Sequence, residues 1–348
     1  MCPLAYDQGV HGFPEWWKRS GVYLPTQVEK RSDIYSQVKG NFMVRRILPT
    51  LFIFSCLGLA AAEEVRFGYV EWPEAVIKTH IVADVLEALG YDTMMQSLSV
   101  PLVLKGLSTG DLDVFLETWL PSMESMVTPY LDDGSITMSA HNLDGTLYRA
   151  AVPTYVYEAG VTSLTDLAAH ANDFRSEYYG IEPGNDGNEI MRQAIEAGIY
   201  GLSDWQLVES SEQGMLQMVE RATQQGDWIV FSGWQPHWMN SAFDISYLDD
   251  PSNIWGGEGF VATVANTQFL DENPNLARFF RQFSVSLETQ GYWIDQYGRQ
   301  RLDPEEVSQE WIVTNLASVK SWAEGVTTVT GEPAVARLEA AFGPLAHD

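Results

Sequence analysis

Cysteine is nearly missing from this chain of 348 residues: there are two, at positions 2 and 56. That excludes a disulfide scaffold and a four-ligand zinc ribbon. Positive charge is scarce as well. Lys and Arg number 20 against 47 Asp and Glu, a formal net charge of −27 at pH 7. Without clustered basic side chains nothing neutralises phosphates, so the composition argues against a nucleic-acid partner and against docking on an anionic membrane surface. Several catalytic signatures are absent too. There is no H-E-x-x-H, no G-x-G-x-x-G and no P-loop, and His141, His170 and His237 lie far apart. No metal, cofactor or enzymatic activity is expected. One enzyme reading stays open because carboxylates are abundant: a secreted carbohydrate-active enzyme with Trp platforms and paired catalytic carboxylates.

The first 62 residues read as processing rather than fold. Met43-Val44-Arg45-Arg46 opens a positively charged region, Ile47 to Leu59 is an apolar run too short to span a bilayer, and Ala60-Ala61-Ala62 offers an A-x-A cleavage site. Residues 43–62 are thus expected to be a signal peptide and residues 1–42 an upstream extension outside the fold. Ile53-Phe54-Ser55 before Cys56 fits a lipid-attachment box poorly. Residues 1–62 hold 7 basic and 4 acidic side chains, so the remainder carries 13 and 43, a net of −30. The expected product is exported, periplasmic, strongly acidic and monomeric.

Beyond Glu63 the hydrophobic pattern alternates. Val65 to Val70 reads as a strand. Ile81, Val82, Val85, Leu86 and Leu89 form a helical stripe ending at Gly90, and Tyr91 to Leu98 is extended. Ser99 is placed to cap a helix through Leu107, followed by a strand over Asp113–Leu116. The pattern then restarts. Ser163 to His170 reads as a short helix, Tyr178 to Ile181 as a strand, Pro183 to Gly187 as a turn. A helix follows, with a capping box from Ser210 to Gln213 and a stop near Gly226. Trp228 to Phe231 reads as a strand. The last third is helical, over 274–289, from Pro304, and over 333–342. Strands alternating with helices, twice over, predict an α/β chain of two lobes, each a mostly parallel sheet flanked by helices.

The chain is rich in Trp, with 12. Trp72 follows the first strand in Val70-Glu71-Trp72-Pro73-Glu74. Trp119 follows another in Glu117-Thr118-Trp119-Leu120-Pro121. Trp234 follows a third in Gly233-Trp234-Gln235-Pro236-His237, and Tyr148 follows Asn142-Leu143-Asp144-Gly145. Ligands of open α/β sheets bind beyond the C-terminal ends of strands, so these rings are candidates to converge on one cleft. A Trp face suits a cation that has no N–H to donate, at about 1–2 kcal/mol per desolvated contact. Trp205, Trp228, Trp238, Trp293, Trp311 and Trp322 read as core or surface residues.

At these residues the chain resembles the choline/glycine-betaine substrate-binding proteins of ABC importers, and most of all the choline-binding type. The resemblance rests on Leu98-Ser99-Val100-Pro101, Asp113-Val114-Phe115-Leu116, Gly180 to Asn188 (GIEPGNDGN), Val208 to Leu216 (VESSEQGML) and Gly233-Trp234-Gln235-Pro236-His237. It runs from about Val65 to the C-terminus and fades in the last third. It implies a two-lobe periplasmic-binding-protein fold of type II, with residues 63–143 and 253–348 in lobe 1 and 144–252 in lobe 2. It also implies an aromatic box of Trp72, Trp119, Tyr148 and Trp234, a ligand contact at Asn185, and a membrane permease as partner.

Two positions depart from that type: Glu74 stands where an Asp accepts the choline hydroxyl, and Glu117-Thr118 stands where small or amide residues precede the second box Trp. Choline, a hydroxylated cation, suits Glu74 and Glu117. Trimethylamine N-oxide follows if its oxygen or a Glu is protonated. Glycine betaine ranks third, because its carboxylate is repelled unless a Glu is neutral or points away, with His237 as a possible recipient.

Overall fold

The computed structural model describes residues 64–343. The upstream extension, the leader and Cys56 lie outside the described residues. Nine strands carry the fold: β1 (Glu64–Tyr69), β2 (Asp92–Ser97), β3 (Val114–Leu120), β4 (Ile136–Pro153), β5 (Glu177–Tyr179), β6 (Gln206–Val208), β7 (Phe231–Gln235), β8 (Ile245–Tyr247) and β9 (Glu258–Asn266). They join in one sheet in the order β2-β1-β3-β9-β4-β7-β5-β6, with β8 paired to β4.

The two wings of this sheet are parallel, as the alternating pattern requires. β2, β1 and β3 form one wing, and β7, β5 and β6 the other. The centre is antiparallel. β9 pairs with both β3 and β4, and β4 pairs with β7. The 18-residue β4 therefore pairs with β9 over Ile136–Leu147 and with β7 over Leu147–Ala151, so one strand belongs to both wings. Its ladder with β9 shifts register between Met138 and Ala140, His141 and Leu143, and Asp144 and Thr146. Such bulges bend and twist a strand locally.

Helices cover the wings. Pro73–Ala88 begins one residue after Trp72, with Pro73 at the first helical position, where its missing N–H is no loss. It starts eight residues before the apolar stripe at Ile81. The reason is that this helix is buried on nearly every side, so its first two turns, including Glu74 and Lys78, carry no stripe at all. Other elements also depart from the sequence reading. Ser99 occupies the cap position of Val100–Thr109 without a side-chain capping bond. Leu164–His170 is a 3-10 turn, held by a capping box between Ser163 and Asp166. Helix Glu212–Gln225 is capped by Ser211 rather than Ser210, Ser211 Oγ accepting from Gly214 N at 3.1 Å. A helix over Asp186–Glu196 follows the turn at 183–185. β7 starts at Phe231, where the sequence had suggested an end, because Trp228 turns aside to pack on Phe174 at a ring distance of 5.4 Å.

The core has three parts. One lies between β1, helix Pro73–Ala88 and the C-terminal helices, with Phe67, Phe280, Trp293, Trp311 and Trp322. Trp311 meets Trp293 edge-on at 4.9 Å and stacks on Trp322 at 5.8 Å; pairs like these add about 0.5–1.5 kcal/mol beyond their buried area. The second, with Val152, Tyr178, Trp205 and Val230, lies within the other wing. The third joins both wings and contains Trp72, Trp119, Ile181, Leu216 and Trp234. Among the described residues no helix is long and apolar enough to cross a membrane.

The closest backbone approach at the centre is at Gly259 of β9, where a β-carbon would stand 2.2 Å from the Leu120 carbonyl oxygen. Gly259→Ala is therefore expected to cost about 1–3 kcal/mol by pushing β9 off β3. Differential scanning calorimetry should show Tm lower by about 4 °C or more. An unchanged Tm would mean that the two strands part there without cost.

Candidate ligand site

A small cavity, about 20 Å3, is lined by Trp72, Glu74, Trp119, Tyr148, Ile181, Asp186 and Trp234. Five of these seven were singled out from the sequence. Trp72 and Glu74 come from the junction of β1 with its helix, and Trp119 from β3, which runs parallel to β1, so their ends share one edge of the sheet. Tyr148 on β4 lies directly opposite Trp234 on β7 in the antiparallel ladder. The strand-end reading thus holds for Trp72; Trp119 and Trp234 sit one residue inside their strands, each before a proline joined by a cis peptide, Leu120–Pro121 and Gln235–Pro236. The rings meet edge to face. Tyr148 stands 6.5 Å from Trp119, 5.8 Å from Trp234 and 4.9 Å from Trp255, which backs it from outside the cavity. Trp72 is fixed differently: its Nε1 donates to Glu182 Oε1 at 2.7 Å, across to the other wing.

Glu117 is not on the cavity wall. It is 1% exposed and lies behind Trp119, where its Oε2 accepts from the indole Nε1 at 3.0 Å and its Oε1 pairs with Lys78 Nζ at 2.5 Å. Lys78, itself fully buried, also donates to Asn142 Oδ1 at 3.0 Å, and Asn142 Nδ2 donates to Leu116 O and Thr263 Oγ1. A buried carboxylate without such a partner is costly, so Lys78 is what allows Glu117 to hold the Trp119 ring. Asn185 is also off the wall. Its Oδ1 caps helix Asp186–Glu196 by accepting from Asn188 N at 2.9 Å, and its Nδ2 donates to Glu182 O. His237 is committed elsewhere too: its Nδ1 accepts from Met239 N, which places the proton on Nε2, facing Glu212 at 3.1 Å.

Asp186 and Ile181 complete the wall and were not foreseen. The clue was within GIEPGNDGN, whose last four residues each have a separate task. Asn185 caps, and Asp186 enters the cavity. Gly187 leaves space where a β-carbon would stand 2.1 Å from the Tyr148 hydroxyl, and Asn188 bonds both backbone groups of Ile181. An expectation of a turn alone could not reveal which of these side chains faces inward.

Buried polar atoms without partners concentrate here: Glu74 Oε2, Asp186 Oδ2, the Tyr148 hydroxyl and Trp234 Nε1. Burial raises Glu74 well above the usual carboxylate range, helped by Glu212 and Glu117 and opposed by Lys78. Burial likewise pushes Asp186 up to about 6, against a hydrogen bond from Ser122 and backbone N–H groups, and Glu182 up to about 7. Burial raises the Tyr148 phenol too. The wall holds four rings and two carboxylates and no cationic side chain. Among the described residues no group of three or more His, Cys, Asp or Glu is placed to hold a metal ion.

Comparison with known proteins points the same way. Residues 63–314 match the family described as the substrate binding domain of ABC-type glycine betaine transport system. A protein of Chromohalobacter salexigens, "Uncharacterized protein ORF1", is 44% identical over 150 residues, 42% of this chain and 97% of that one. An ABC-transporter choline-binding protein solved in complex with choline is 37% identical, with a TM-score of 0.78 over 80% of this chain and 98% of that one. Lactococcal OpuAC, solved closed with glycine betaine, is 26% identical, with a TM-score of 0.67 over 75% of this chain and 99% of that one. The two-lobe periplasmic-binding-protein fold follows from these likenesses.

The raised carboxylates give a signed pH dependence. Their folded values lie above their unfolded ones, so protonation favours the folded empty protein and ionisation counts against it. The empty protein should therefore lose stability as pH rises from about 4 to about 7. A permanent cation such as tetramethylammonium needs those negative charges, so its affinity should rise over the same interval by about tenfold, one pKa unit of coupling. Thermal unfolding of the empty protein and calorimetric titration of tetramethylammonium, each at pH 4.5, 5.5 and 7, check the two signs; affinity independent of pH would remove Glu74, Asp186 and Glu182 from the electrostatics of the cavity.

Proposed function

Because the chain belongs to the family of substrate-binding domains of ABC-type glycine betaine transport systems, we propose that it captures a methylated ammonium cation, choline before trimethylamine N-oxide and glycine betaine. As a member of this family it is a transporter substrate-binding protein and not an enzyme: it takes up a small ligand for an ABC permease. The carbohydrate-active alternative has no support among its relatives.

One observation carries the ligand ranking. Trp72, Trp119, Tyr148 and Trp234 surround the cavity together with two carboxylates and no Lys, Arg or His. Methyl groups on a quaternary nitrogen spread its charge over an apolar surface, which ring faces meet better than water-like donors do. Glu74 then takes the hydroxyl of choline, and Asp186 balances its charge. Protonated Glu74 can donate to the oxygen of trimethylamine N-oxide. Glycine betaine brings a carboxylate to a wall that offers it no cation. Glu117 and Asn185 serve from behind, the first by steadying Trp119 and the second by fixing Asp186 at the start of its helix.

The two lobes are residues 63–143 with 253–348, and 144–252, with the bulged stretch of β4 between them. Trp72, Glu74 and Trp119 belong to the first, and Tyr148, Asp186 and Trp234 to the second. Closure then brings the halves of the box together around the ligand. The protein acts as a monomer in the periplasm, exported by the segment over residues 43–62.

Calorimetric titration of choline, trimethylamine N-oxide and glycine betaine should rank them in that order. Glycine betaine binding tightest would overturn the ranking, and no binding by any of them would overturn the ligand class. Trp119→Ala or Trp234→Ala should each weaken choline by about 1–3 kcal/mol. Glu74→Gln should weaken choline far more than tetramethylammonium, which has no hydroxyl. Glu117→Gln should weaken the two alike, since it acts through the Trp119 ring. The opposite pattern would exchange the roles of Glu74 and Glu117.

A further inference from the structure

Outside the box, and sharing Trp72 with it, lies a much larger chamber of about 740 Å3. Its lining draws on both wings. Glu71 and Trp72 come from the end of β1, and Glu182, Glu212, Glu220 and Trp238 from the opposite lobe. Arg301 is the one Lys or Arg among its lining residues, so four carboxylates face one cation. Glu212 is nine-tenths buried and its Oε1 is engaged by His237, yet its Oε2 has no partner. The Trp238 Nε1 is likewise buried and unpaired. Trp72 stands between the two spaces, with its indole nitrogen tied to Glu182 on the chamber side.

We propose that this chamber is an encounter subsite for organic cations, where the ligand is held by carboxylates and by the chamber-facing sides of the buried Trp72 and the half-buried Trp238 before it enters the box. The inference rests on the reading of the box as a methylammonium site. The chemistry is that of the box in dilute form: acidic groups lower the local potential, aromatic sides receive methyl groups, and the volume leaves the cation partly hydrated. A hydrated, shallow site holds its guest weakly and exchanges it fast, as a step before a closed one requires. Trp72 is then a partition with a ring on each side of the path. Its bond to Glu182 is the contact that must yield for the ligand to pass.

Stopped-flow Trp fluorescence with choline and with tetramethylammonium tests this on the full chain. The wild type should show an observed rate that saturates with ligand concentration, the mark of a fast encounter before a slower step. The exposed double variant Glu71→Gln/Glu220→Gln should raise the half-saturating concentration by about two- to fivefold and leave the dissociation rate from the box unchanged, whereas Glu212→Gln, whose charge also acts on Glu74, should raise the half-saturating concentration and alter the box as well. A half-saturation unmoved in all of these variants, or an observed rate that stays linear in ligand, would overturn the subsite.

A second arm separates the chamber from the box. In Trp119→Ala/Trp234→Ala, ligand-observed NMR with choline should show the weak, fast-exchanging binding retained and the tight phase lost. Loss of both would show that the chamber holds nothing by itself. Weak binding without any tight phase in the wild type would instead overturn the box and leave the chamber standing.

Discussion

A carboxylate inside a protein needs a countercharge, and the site of this chain is arranged around one such pair. Lys78 answers Glu117 at 2.5 Å, with both groups shut off from water. Removing either alone would leave a buried charge unpaired, a loss of about 3–5 kcal/mol in comparable pairs. The pair reaches outward in two directions. Through Glu117 it fixes the indole of Trp119, and through Lys78 and Asn142 it ties the first helix to β3, β4 and β9. Trp119 is thus held by an acceptor that is itself held.

Two kinds of order bring the remaining rings together. Tyr148 and Trp234 face each other by strand register, an arrangement a slip of one residue would reverse. Trp72 and Trp119 meet because β1 and β3 run parallel and end on the same edge. Glycines make the fit possible at specific places. Gly187 yields its side-chain volume to the Tyr148 hydroxyl, and Gly180 yields its own to Asn188 Oδ1. The same compactness concentrates unpaired polar atoms in the cavity, and each such buried group carries a desolvation cost.

Much of this was legible in the chain itself. Period-2 and period-3.6 patterns marked the parallel wings, and aromatic residues beside turn residues marked most of the cavity wall. What stayed hidden has physical reasons. The first turns of Pro73–Ala88 are buried all round and so show no periodicity. Glu117 looked like a ligand contact because nothing local says that Lys78, 39 positions earlier, lies against it. Asp186 looked like part of a turn, though it opens a helix whose first backbone N–H groups and whose cap, Asn185, aim it inward. The continuity of the central sheet was out of reach as well, since it depends on β4 and β9 pairing across more than a hundred residues.

That continuity bears on how such a molecule can flex. A loop hinge lets two bodies swing freely until contacts stop them. Here both halves grow from the same two strands, and the ladder between them is interrupted by three register shifts close to the box. Bulges bend and twist a strand locally, so the angle at which β4 leaves one wing and enters the other is set at three places along one ribbon. Backbone geometry of the sheet, and not a connecting loop, then fixes how the wings are held.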